Sequence, residues 1–149
     1  MKKLLIIALL LITGLVNAQD FWGVRIGSYT TTLDETIKIS QTKFDIILDK
    51  SEGKIHSIFL KEIGIIEGDR EVDLILNYFE NTYNLRFKAT PDGRNKTTYK
   101  AYGDGFDVII LDLHRRTQSG GSDHKLSIMI FNKELRINAA RKGDIRIFY

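Results

Sequence analysis

Two apolar runs decide the fold: Phe106–Leu113, FDVIILDL, and Leu126–Phe131, LSIMIF, with the polar loop Arg115–Asp123 between them. With His114 set opposite His124, they close as an antiparallel hairpin. One face then pairs Asp112 with Leu126, Ile110 with Ile128 and Val108 with Ile130. The other sets Ile109 beside Met129 and Asp107 beside Phe131. A strand with one wet face alternates apolar and polar residues. Here both faces are largely apolar, which predicts a hairpin at the buried centre of a sheet.

Working outward, Phe44, Ile46 and Leu48 alternate with Asp45 and Asp49, and Ile55–Leu60 follows after Lys50-Ser51-Glu52-Gly53. That connector puts Gly where a hairpin turn needs positive φ, so the two runs predict a second hairpin. Alternation predicts further strands over Phe21–Ile26, Leu85–Ala89, Thr97–Tyr102, Leu135–Asn138 and Ile145–Phe148. Pro91 opens a loop, and Gly103-Asp104-Gly105 ends a strand. Thr32-Leu33-Asp34-Glu35 matches a capping box, yet Thr36–Ser40 alternates, and short helix and strand both stay open there. Asp69–Asn84 reads as a helix. Val72, Ile75, Leu76, Phe79 and Tyr83 recur on one helical face, Asp69 suits the N-cap and Asn84 the left-handed C-terminal position. The class is α+β, predominantly antiparallel β: a curved sheet of about eight strands with one amphipathic helix packed on it. A small closed β-barrel with one helix is the alternative.

The first residues form a secretory signal. Lys2 and Lys3 precede the unbroken apolar run Leu4–Ile12, and Val16-Asn17-Ala18 offers small residues for cleavage after Ala18. The run is shorter than the roughly 20 apolar residues of a membrane span. The reading is a signal peptide over 1–18, a single globular domain over 19–149, no membrane span after cleavage, and residence in the periplasm or outside the cell. Of 149 residues, 131 remain after the 18 of the signal, enough to bury a core unaided. Packing alone must hold that core, because there is no cysteine. Cleavage removes two lysines and leaves 20 Lys+Arg against 19 Asp+Glu. Such a near-neutral chain gives no reason to expect nucleic acid as a partner.

The charged residues at the hairpin end are the candidate binding site: Arg115, Arg116, Lys125, His114 and His124. The cations and the loop glycines suit an acidic partner surface or an anion. Two imidazoles near Asp112 and Asp123 would suit a zinc-like ion in a metal-dependent hydrolase. The plainer reading of all five is a solvated loop tip, and it is preferred. No catalytic residue, metal site or cofactor is assigned. Neither G-x-S-x-G nor H-E-x-x-H occurs.

The Lys-Lys-Leu-rich signal ending in Ala18-Gln19, the hairpin stretch FDIILDKSEGKIHSIFL (Phe44–Leu60) and IMIFNKELRI (Ile128–Ile137) together resemble small exported bacterial proteins of no assigned function. The resemblance implies an all-strand pattern and no catalytic residues. The expected function is a non-enzymatic binding or interaction module for another protein or an extracytoplasmic ligand. A small-molecule carrier built on a barrel cavity and the metal-dependent hydrolase on His114 and His124 are the alternatives.

Overall fold

The computed structural model describes residues 19–29 and 36–145. In chain order the elements are β1 (Asp20–Phe21), β2 (Val24–Arg25), β3 (Thr36–Ile39), β4 (Thr42–Ser51), β5 (Lys54–Glu62), β6 (Ile66–Glu67) and α1 (Asp69–Tyr83). Then come β7 (Lys88–Pro91), β8 (Lys96–Tyr102), β9 (Asp107–Arg116), β10 (Ser122–Phe131) and α2 (Lys133–Arg141). The main sheet runs β3-β4-β5-β10-β9-β8-β7, with β6 also pairing β10, and every pairing is antiparallel. It ends on β3 and β7, so it is an open sheet and not the closed barrel.

The central hairpin has the expected register, with His114 opposite His124, Ile110 opposite Ile128 and Asp107 opposite Phe131. Its two faces differ more than their composition suggests. On the face carrying Val108, Ile110, Leu126, Ile128 and Ile130 all five side chains are buried. They join Ile58 and Leu60 of β5, Phe44 of β4 and the Val72, Ile75 and Phe79 face of α1 in one cluster. Fully burying each such side chain contributes roughly 1.5–3 kcal/mol. That burial holds α1 in place, since an isolated helix of its length is marginal in water. On the opposite face Ile109, Leu111, Met129 and Phe131 are only half-buried. There Arg136 of α2 lies over the Phe131 ring, 5.3 Å from its centroid, and donates to the Met129 sulfur.

Four local readings change. Phe21–Ile26 is not one strand but the tight hairpin β1–β2, because Trp22 and Gly23 both adopt positive φ and the Asp20 carboxylate accepts from the Gly23 N–H at 2.6 Å. Phe21 then packs edge-on to Phe106 and against Tyr83, which fastens this hairpin to α1. The strand expected over Leu85–Ala89 starts only at Lys88, and Pro91 is its last residue. Leu135–Asn138 is helical, inside α2, with the Asn132 side chain capping the Leu135 N–H, Glu134 in the first turn and Arg141 in the last. Finally, Asp69 is not the N-cap of α1. Gly68 is, without a side-chain cap bond, and Asp69 is left for another use. Asn84 does close α1 in the left-handed conformation, at φ 52°. The readings for Thr32–Glu35 and for 146–148 lie outside the described residues.

Candidate functional site at the open end of the hairpin

Strand alternation divides the five expected binding residues. His114, Arg116, Ser122 and His124 point to the face that α1 covers, and Arg115, Asp123 and Lys125 to the other. His124 is not a ribbon-tip histidine. It is 5% exposed and lies under the start of α1. Its Nδ1 sits 2.9 and 3.0 Å from the two oxygens of Asp112, itself 2% exposed. Its Nε2 sits 2.8 Å from Asp69 Oδ1 and 3.1 Å from Ser122 Oγ. Carboxylates only accept, so an imidazolium donating at both nitrogens satisfies both, whereas a neutral ring would turn a lone pair on one of them. The Ser122 hydroxyl donates to the same Asp69 oxygen at 2.8 Å, and the Gly68 N–H donates to the Ser122 carbonyl at 2.7 Å. Hydrogen bonds from Ser122 and then His124 hold the Asp69 carboxyl below its ordinary range.

This network ties the N-terminus of α1 to β10. Ser122, His124 and Asp112 stand in the hydrogen-bonded order of a nucleophile, a base and an orienting acid. The order is not sufficient here. The Ser122 hydroxyl donates to Asp69 Oδ1 and not to the imidazole, and the outer ring nitrogen also lies 2.8 Å from that oxygen. The same geometry leaves no nitrogen of His124 for a metal. His114 contributes a ring centroid 5.7 Å away and a Nε2 contact of 3.4 Å to Thr97 Oγ1. Among the described residues no group of three or more His, Asp or Glu side chains is placed to hold a metal ion. The spacing S-x-x-K occurs at Ser40–Lys43, Ser51–Lys54 and Ser122–Lys125, all on strands and turns, not on a helix where residues three apart share a face.

Beside this tie the ladder along β10 is interrupted. β10 pairs β5 up to Ser127 opposite Lys61, and resumes with β6 at His124 opposite Ile66. The β5–β6 segment thus has extra residues relative to β10, and Ile63-Gly64-Ile65 loops outward between the two pairings. Leu126 loses its ladder acceptor, and its N–H donates instead to Glu62 Oε2 at 2.6 Å. Glu62 is itself buried, and its other oxygen has no partner among the described residues. Burial pushes its carboxyl above the ordinary range, against the lowering effects of the Leu126 N–H and of Lys125.

The outward loop separates two surface grooves. One, of about 400 Å³, is bordered by Ile65, Leu113, Arg115 and Lys125 together with His114 and His124. It therefore gathers four of the five expected residues; Arg116 lies elsewhere. Arg115 is drawn to Asp123 at 3.4 Å, an exposed pair of small energetic weight. The other groove, of about 680 Å³, is bordered by Ile63, Ile65, Leu74, Lys38, Lys43 and Arg70, among others. Ile63, Ile65, Leu74 and Leu113 are all exposed, Ile65 at 62%. Taken by its residues alone, Ile63–Ile66 is an apolar connection between β5 and α1. The signal for something more was a glycine inside an apolar run, a mark of a bulge or an irregular backbone. The interior between sheet and α1 is filled by the buried cluster, and the concavities are grooves on the surface. No protein family matches the chain, and comparison with characterised proteins and with solved structures gives no match.

Proposed function

We propose that this chain is an exported, non-enzymatic binding protein that engages an acidic ligand or partner surface at the open end of its central hairpin. One observation carries the reading: four large aliphatic side chains stand exposed around one loop, with cations beside them. Ile65 and Leu113 stand in water, outside the filled core. Exposed apolar groups rimmed by charge mark recognition surfaces. The ring nitrogens of His124 are both engaged in holding α1, which supports a structural and not a chemical role for the buried histidine. The leader at 1–18 supports export.

The test is site-specific photo-crosslinking in producing cells. A photoreactive side chain replaces Leu113, with Tyr102, exposed at a distance on β8, as the control position. The expected result is one adduct at 113, absent at 102, that fades when Arg115 and Lys125 are changed to Ser. Equal labelling at the two positions, or an adduct indifferent to those substitutions, overturns the reading. The mass of the protein recovered outside the cytoplasm tests export, with a chain beginning at Gln19 expected.

A further inference from the structure

We infer that the Ile63-Gly64-Ile65 loop is a tip that inserts into an anionic lipid surface. The inference rests on the binding reading above and names the partner. It begins with shape. Ile63, Gly64 and Ile65 are three consecutive exposed residues, and a Cβ built on Gly64 meets nothing within 4 Å. The apolar side chains therefore stand exposed on a loop between two open surface grooves, and they form the wall that the two grooves share. A protein partner needs a broad complementary surface, typically about 800 Å² on each side. A bilayer needs no complementary shape and accepts a small aliphatic point.

Charge gives the second argument. The side chains bordering the two grooves include Lys38, Lys43, Arg70, Arg115 and Lys125 against Glu67, Glu71 and Asp123. Five cations against three acids leave an excess of positive charge around the loop. The surroundings of the tip are therefore cationic although the mature chain is close to neutral. Exposed aliphatics within a ring of Lys and Arg suit the boundary between lipid headgroups and acyl chains, where burial and attraction to anionic lipid act together. Leu74 and Leu113, on either side of the loop, widen the apolar contact. The contact is peripheral: no helix among the described residues is long and apolar enough to cross a membrane.

The test uses the chain from Gln19, which holds every described element and lacks the apolar leader. Vesicles of phosphatidylcholine with 30% phosphatidylglycerol, about a third anionic as befits a test of surface charge, are sedimented with the protein at low salt. The protein should sediment with them, stay in solution with pure phosphatidylcholine, and be released as salt screens the charge. Changing both Ile63 and Ile65 to Ser should lower the partition at least about tenfold, since each buried methylene contributes roughly 0.8 kcal/mol. Lys125→Ser should lower it about fivefold, the equivalent of about 1 kcal/mol per cation near the surface. Tyr102→Ser should change nothing. Because the chain has no cysteine, an Ile65→Cys variant accepts a single environment-sensitive dye, whose emission should shift to the blue on anionic vesicles.

No sedimentation with anionic vesicles overturns the lipid assignment. A protein adduct at position 113 in the crosslinking experiment would then show that the binding reading survives it. Sedimentation that persists unchanged after both isoleucines are replaced overturns the assignment of the tip.

Discussion

Replacing His124 by leucine removes the imidazole that bridges two carboxylates, and its cost follows from the burial of one of them. Asp112 is 2% exposed and takes both of its close contacts to the ring from His124 Nδ1. Leucine leaves that carboxylate buried without a counter-charge, which costs about 3–5 kcal/mol in comparable buried pairs. Asp69, whose side chain is 81% exposed, turns to water, so its share is small, about 1 kcal/mol or less. For a chain of this size the loss lowers Tm by roughly 10–20 °C. Asp112→Leu should also destabilise, by leaving the imidazolium half-satisfied. The double variant should recover most of the loss, because Asp112 sits opposite Leu126 beside Ile110 and Ile128, where an apolar side chain packs. Urea unfolding of the four proteins at pH 7 gives the cycle directly. Single losses below about 1 kcal/mol, or a double variant as unstable as the sum of the singles, would refute the reading of His124 as a buried ionic tie.

Glu62 supplies a pH dependence of known sign. Burial raises its folded carboxyl value above that of the unfolded chain, so its contribution is fully present below about pH 4 and is lost as pH rises through the folded value. Glu62→Gln keeps an acceptor for the Leu126 N–H without the charge. Its stability relative to the parent should climb between pH 4 and pH 8 in urea titrations, and a climb toward acid would refute the assignment. Glu71→Ala removes the acceptor of three hydrogen bonds from the Ser40–Thr42 turn and should cost about 1.5–3 kcal/mol. Hydrogen exchange would show the loss concentrated at the start of α1. At Gly103 a Cβ would stand 2.5 Å from the Phe106 ring, so Gly103→Ala should cost about 1–3 kcal/mol by overpacking, measured as a shift in urea midpoint. A neutral result would mean that Phe106 relocates at little cost.

Much of the architecture was legible in the residues themselves. The hairpin register could be read because a strand has period two, and a slip by one residue would have sent Val108, Ile110, Ile128 and Ile130 to the wrong face. α1 could be read because its apolar residues share one face and Asn84 marks its end. Local pattern failed where two periods fit the same few residues. Leu135 and Ile137 alternate like a strand, but the Asn132 cap and the Glu134 and Arg141 charges favour the helix that forms. Likewise, Trp22 and Gly23 make a tight turn inside an alternating run, because Gly23 adopts a left-handed conformation that its neighbours' pattern does not reveal.

The candidate site was legible only as a list of residues. Arg115, Lys125, His114 and His124 do border one groove, but what each does there depends on distant chain. His124 is buried because Asp69, 55 residues earlier, comes down on it at the head of a helix, and local rules had assigned that aspartate to the cap. The exposed tip is likewise a product of pairing. Ile63 and Ile65 are core-type residues by composition, and they face water because β10 changes partners from β5 to β6 across them. Periodicity is a property of neighbours in sequence and is written in the chain. Exposure, ion pairing and the capture of the Leu126 N–H by Glu62 depend on residues far apart in sequence meeting in space, and only the assembled sheet decides them.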